Sequence, residues 1–209
     1  MSARNAAFFD MGTALGRETY LRARGWDGLG AALRTGGLKH PEPVVLGAGA
    51  VLFRLFHRQD RRYGEWWATA QELDAVIRHF DVGNAGLTEG RGAGRSALHG
   101  VFVIRHEWAG TTPADLAAHL RRFVVARLRE PLMAYHGEGD VAPSAGHAQV
   151  QKGCAILDAA GRQRDVRQVF LPRPWTYQAA FQDLGEHATD SHLVGAVAKW
   201  RRGPFYFEA

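Results

Sequence analysis

Cysteine occurs once in the 209 residues, and lysine only at Lys39, Lys152 and Lys199. One thiol cannot close an intrachain disulfide, so a fold stapled by cystines is excluded. No apolar run approaches the roughly 20 residues that cross a bilayer as a helix, and no membrane contact is expected. The opening MSARNAAFFDMG has no continuous apolar stretch followed by a small-residue cleavage site. That argues against a secretory leader and for a cytoplasmic protein. The sequence holds no repeat and no heptad array. HExxH, CxxC and the GxSxG nucleophile elbow are missing, and with them the chemistries those spacings carry. No zinc-finger, RNP or helix-turn-helix pattern is legible.

What is present is an ordinary globular composition, 46% hydrophobic and 22% charged, rather than a disordered one. The length fits one domain with a core that needs no staples. The expected organisation is a helical segment over 1–40 followed by a core domain over 41–209. Formal charge is +5 with neutral His. Nearly all the positive charge is Arg, clustered at Arg58, Arg61 and Arg62, at Arg91 and Arg95, at Arg121, Arg122, Arg127 and Arg129, and at Arg201 and Arg202. Guanidinium forks suit phosphate and carboxylate. One reading is a surface that holds nucleic acid or an acidic protein partner without catalysis. The other is an Arg-rich solvated surface with no such task.

Periodicity sets the expected elements. Leu15, Tyr20 and Leu21, then Leu29, Leu33 and Leu38, fall near helical spacing and are interrupted by glycines, which predicts two short helices. Strands are expected at 44–46 and 50–57, where Val51, Phe53 and Leu55 alternate with Leu52, Arg54 and Phe56. A helix is expected at 71–80, with Leu73, Val76, Ile77 and Phe80 on one face. A Gly-rich loop over 81–97 and a strand over 99–108 follow. Thr111-Thr112-Pro113-Ala114-Asp115 reads as a helix start, with the helix running to about Arg129. Residues 130–147 read as a loop. Strands are expected near 148–157 and 166–171, helices over 175–184 and 192–200, and a last strand over 204–208 that pairs internally or with a second subunit. Strands scattered among helices, with a late hairpin, predict an α+β fold of mixed or antiparallel sheet.

Several residues could carry chemistry. His187, Asp190 and His192 offer a zinc set, against a bland reading as surface residues, and no metal is expected. A hydrolase or nuclease built on His99 and His106, or on His187 and His192, is a third class of function. Cys154 reads as a buried structural thiol. Gly90 to Ala97 matches GxGxxA, but it precedes a strand instead of linking strand to helix, so the dinucleotide context fails.

The most informative stretch is 51–80. A strand carries Arg54, and about ten residues on come Gly64, Trp66-Trp67 and Ala68-Thr69, followed at once by a helix. This order resembles the first half of the ADP-ribosyltransferase superfamily in its Arg-Ser/Thr-Glu branch. The resemblance spans roughly 44–172. It implies that Arg54 contacts the phosphates of NAD as a bidentate fork, that Thr69 meets the nicotinamide ribose, and that Trp66 or Trp67 stacks near nicotinamide. It also implies that NAD is the substrate, with a protein or nucleic-acid acceptor, in a toxin or effector. The family's catalytic Glu opens a late strand, and Arg167-Gln168-Val169-Phe170-Leu171-Pro172 has that outline with Gln168 in the acid's place. A Gln cannot supply the charge that stabilises an oxocarbenium-like transition state. Either another acid serves, with Asp165 and Glu186 nearest in sequence, or the domain binds without this chemistry. Each residue also has a plainer reading. Arg54 suits the solvent face of an alternating strand, and Thr69 suits the N-cap of the helix after it. Adjacent Trp66 and Trp67 point to opposite faces if extended, so at least one belongs to the core. Gln168 suits an ordinary polar strand position.

Overall fold

Residues 3–26, 37–56, 62–80, 122–140, 155–157, 160–200 and 207–208 are described by the computed structural model. A 3-10 turn at Ala6–Phe9 precedes helix α1, Ala14–Ala23, which Thr13 caps by accepting the Gly16 N–H. Strands β1 (Glu42–Leu46), β2 (Val51–Phe56) and β3 (Trp66–Thr69) follow, and β3 runs directly into α2, Ala70–Phe80. Then come β4 (Arg122–Leu128), β5 (Leu132–Glu138), β6 (Ala155–Leu157), β7 (Gln163–Asp165) and β8 (Arg167–Phe170). Two 3-10 turns, Pro174–Thr176 and Gln178–Ala180, lead into β9 (Phe181–Ala188), α3 (Thr189–Trp200) and β10 (Phe207–Glu208).

The eight-stranded sheet has the order β10-β1-β5-β8-β3-β2-β4-β9, and β6 and β7 form a separate hairpin. Every recorded pairing is antiparallel. The fold class is therefore α+β, as the scattered strands predict. The C-terminal strand pairs internally, with Val45 opposite Glu208.

Alternation along the strands builds the layers. Val51 and Phe53 of β2 join Phe123 and Val125 of β4 in a core closed by Leu73 and Val76 of α2 and by Leu193 and Val197 of α3. The intervening Leu52, Phe56, Val124 and Ala126 face the other way, into a core shared with Leu46, Leu132, Ala134 and Val169 of the other half-sheet. Residues from both ends of the strand order meet there, so the sheet curls around it. Trp67, Tyr177 and Phe181 fill its centre. A third, small core of Ala23, Leu38, Tyr135 and Phe170 seats α1 against the back of β5 and β8.

Three expected elements are corrected. The helix expected to end near Arg129 is strand β4 over its last seven residues. That strand is buried on both faces, so it shows an unbroken apolar run instead of alternation, which periodicity cannot separate from a buried helix. The loop expected over 130–147 holds strand β5; its flanking Pro131 and Gly139 are strand-end punctuation. The helix expected over 175–184 is a pair of 3-10 turns and the start of β9. There the register shifts between Val125 and Ala126, and Gly185 takes φ 122, a value that glycine tolerates best. The bulge hides the strand's period. The expected second N-terminal helix at Leu29 and Leu33, loop at 81–97, strand at 99–108, helix start at 111–115 and Cys154 lie outside the described residues, as do Arg58, Arg61, Arg91, Arg95, Arg121, Arg201 and Arg202.

Candidate functional site

β3 is only four residues long, yet it joins the two halves of the sheet. Its first half pairs with β8, Trp66 opposite Phe170 and Trp67 opposite Val169. Its second half pairs with β2, Thr69 opposite Leu52 and Ala68 opposite Phe53. The ladder is therefore interrupted on both sides of β3. β2 parts from it beyond Phe53, where Arg54 begins, and β8 parts from it before Val169, where Gln168 ends. The strands that carry Arg54, Thr69 and Gln168 lie side by side at this seam.

The Arg54 side chain fills the gap on the β2 side. Its Nη1 donates to the Trp66 carbonyl at 2.7 Å, and the guanidinium lies so close to Gly64 that a Cβ there would collide with it. Glycine at position 64 admits this close approach, and its value here is space rather than backbone freedom. The next residue, Glu65, carries the seam's acid. Its Oε2 accepts from Arg22 Nη2 of α1 at 2.5 Å, and its Oε1 accepts from the Arg173 backbone N–H at 3.0 Å. Burial pushes the Glu65 carboxyl above its ordinary range, and the Arg173 hydrogen bond and the charges of Arg22, Arg173 and Arg54 only partly offset this.

Arg173 holds a left-handed backbone at φ 47, ψ 51 without being glycine. Such conformers cost roughly 1–3 kcal/mol and concentrate at functional sites. Its guanidinium reaches Glu18 of α1 at 3.2 Å and lies 6.0 Å from the Phe8 ring centroid. Nearby, Tyr177 donates to the Pro172 carbonyl at 2.6 Å, and burial drives its phenol well above the usual range.

The seam brings together some of the expected residues and separates others. Arg54, Trp66 and Trp67 gather around Gly64 and Glu65. Trp67 is core: it is 2% exposed, donates Nε1 to the Gly64 carbonyl at 2.7 Å and stacks on Phe181 at 5.5 Å. Trp66 points the other way and meets Phe170 edge-on at 4.9 Å. Thr69 accepts the Glu72 N–H at 3.1 Å and so caps α2. Glu72 is held by both terminal nitrogens of Arg164, at 2.7 and 2.8 Å, and by the Arg167 N–H at 3.0 Å.

Gln168 is buried and sits opposite Gly137. It lies two residues from Phe170 and one from Val169, so it shares the face of Phe170 while Val169 faces the inner core with Trp67. Arg54 alternates with Phe53 and falls on the inner face, opposite to Gln168. Asp165 is ion-paired with Lys39 on the hairpin side. Glu186 sits on edge strand β9, 2.8 Å from Arg122 Nε and 3.7 Å from Arg62 Nη1. Sequence reasoning missed Glu65, Arg22 and Arg173. Glu65 was the legible one, an acid placed directly between Gly64 and the paired tryptophans.

Two other features bear on function. The His187 and His192 rings lie 5.8 Å apart, and no cluster of three metal-ligating side chains occurs among the described residues. Several of the described arginines pair with carboxylates. Arg62 pairs with Asp183, Arg78 with Asp74, Arg122 with Glu186 and Arg164 with Glu72.

No family model and no curated protein matches the sequence. One chain of a solved structure, Rhs1-CT in complex with cognate immunity protein RhsI1, is similar at a TM-score of 0.43 and 16% identity, over 88% of this chain and 95% of that one.

Proposed function

We propose that the chain binds NAD at the β2–β3–β8 seam and transfers its ADP-ribose to a protein or nucleic-acid acceptor. The observation that carries this reading is the adjacency of the three strands bearing the Arg, Thr and late-strand elements, with the ladder broken on both sides of the middle one. Arg54 and Arg173 flank one carboxylate, which leaves positive charge for a pyrophosphate. We assign the reacting carboxyl to Glu65, because it directly follows Gly64, against which the Arg54 guanidinium lies, while Gln168 is neutral and on the opposite face. The bond that breaks joins nicotinamide to the ribose. Nicotinamide leaves as a neutral base, and a nucleophile of the acceptor forms the new bond and gives up its proton. A carboxylate stabilises the cationic sugar between these events.

A thermal-shift titration with NAD tests the proposal. Ligand at about 100 times Kd should stabilise the protein by about 2.7 kcal/mol, and Arg54→Ala should abolish that gain. Nicotinamide release should be lost in Glu65→Gln. A wild-type melt indifferent to NAD sinks the reading.

A further inference from the structure

The N-terminal segment carries two of the charged side chains that close on the seam. Arg22 of α1 occupies Glu65 Oε2 at 2.5 Å, and Glu18, one turn earlier, occupies the Arg173 guanidinium at 3.2 Å. Ahead of the helix, Asn5 fits the unpaired backbone of β5, donating to the Met133 carbonyl at 2.7 Å and accepting the Met133 N–H at 2.8 Å. The apolar hold comes from the small third core and from Phe8 against Tyr177. The residues of α1 that are buried are Gly16, Thr19 and Ala23, and small side chains remove little apolar area from water. Tyr20 of the helix and Phe9 before it rest on the ring of Tyr135, at 5.7 and 4.8 Å. The segment is thus fastened by ion pairs, one amide and a small aromatic cluster, while the two larger cores of the sheet are built mainly from other elements.

We propose that residues 3–26 form an electrostatic strap that holds the seam site closed, with Arg22 masking the Glu65 carboxylate and Glu18 masking Arg173. This rests on the seam being the NAD site and names how that site is regulated. Releasing the strap frees the acid and the phosphate-facing guanidinium together. The sheet stays folded, because its cores lie largely beneath other elements. Local opening of this kind is drawn from segments with few buried apolar contacts. The exposed pair, Glu18 with Arg173, is open to screening by salt.

The test combines hydrogen exchange with nicotinamide release, on wild type and Arg22→Gln, and on wild type at 0.1 and 1 M NaCl in case the variant folds poorly. Amides of 15–24 should exchange at least tenfold faster in the variant and in high salt, with those of β2 and β4 unchanged. NAD turnover should rise severalfold in the variant. Unchanged exchange of 15–24, or equal loss of protection throughout the sheet, overturns the strap. Loosened exchange with wild-type turnover overturns its control of the site. If neither protein responds to NAD, the seam reading fails and the gate with it, and the exchange data separately report whether α1 detaches.

Discussion

Arg22 and Glu65 lie 43 positions apart in the chain and 2.5 Å apart in the fold. Their contact joins the N-terminal helix to the residue before the central strand. Glu65 is mostly buried, at 12% side-chain exposure, while Arg22 keeps 31%. Desolvation therefore falls mainly on the carboxylate, and it outweighs the three arginines around it.

That balance fixes a pH dependence. The folded Glu65 carboxyl sits above its ordinary value, chiefly through burial. A raised carboxyl contributes stability that is fully present below the unfolded value and is lost as pH rises through the folded one. Glu65→Gln has no such loss. In urea melts from pH 4 to 8 the variant should gain on wild type as pH rises through the window just above the ordinary carboxyl range. A gap that stays constant, or one that moves toward wild type, contradicts the burial argument.

Gly64 tests the close approach of Arg54. Its backbone does not lie in the left-handed region, so alanine is allowed there on conformational grounds. The added methyl meets the Arg54 guanidinium first. Gly64→Ala should displace Arg54 from the Trp66 carbonyl and cost about 1–3 kcal/mol by overpacking. NAD-dependent stabilisation should fall in the same variant. Retention of that stabilisation at wild-type strength would show that Arg54 need not lie in the gap.

Much of this fold was legible in the residues, and the illegible parts have physical causes. β2 alternates because its two faces enter different cores, and α2 shows its stripe because one face is solvated. β4 could not be read, since Phe123 and Val125 are buried on one side and Val124, Ala126 and Leu128 on the other. At the seam, Arg54 and the tryptophans come together from one stretch whose order along the chain is visible in the sequence. Arg22 and Arg173 come from distant segments, and no local pattern links them to Glu65.

Phe123 gives the core its sharpest test. It is fully buried and lies 6.0 Å from Phe53, ring to ring. Phe123→Ala should destabilise by about 3–5 kcal/mol. A change below about 1 kcal/mol in a denaturant melt would place this side chain outside the core.

The Glu72–Arg164 clamp ties the β6–β7 hairpin to the head of α2. Both partners are largely buried, at 10% and 20% side-chain exposure, so removing one strands the other. Glu72→Gln should cost about 2–3 kcal/mol, discounted because Arg164 keeps some contact with water. A double-mutant cycle with Arg164→Gln should return a coupling of about 1–3 kcal/mol. Additive single effects would mean the fork-to-fork contact contributes nothing of its own.

Thr69 separates a structural duty from a ligand contact. Its hydroxyl oxygen accepts the Glu72 N–H, so Thr69→Ala removes an N-cap and should cost about 1 kcal/mol. Thr69→Ser keeps the oxygen and should restore most of that loss. Neither change should move the apparent NAD affinity, because the hydroxyl is committed to the helix. If Thr69→Ala instead leaves the melt unchanged and weakens NAD, the hydroxyl faces the ligand and the cap is dispensable. The two readouts move in opposite directions under the two assignments, so one pair of titrations decides between them.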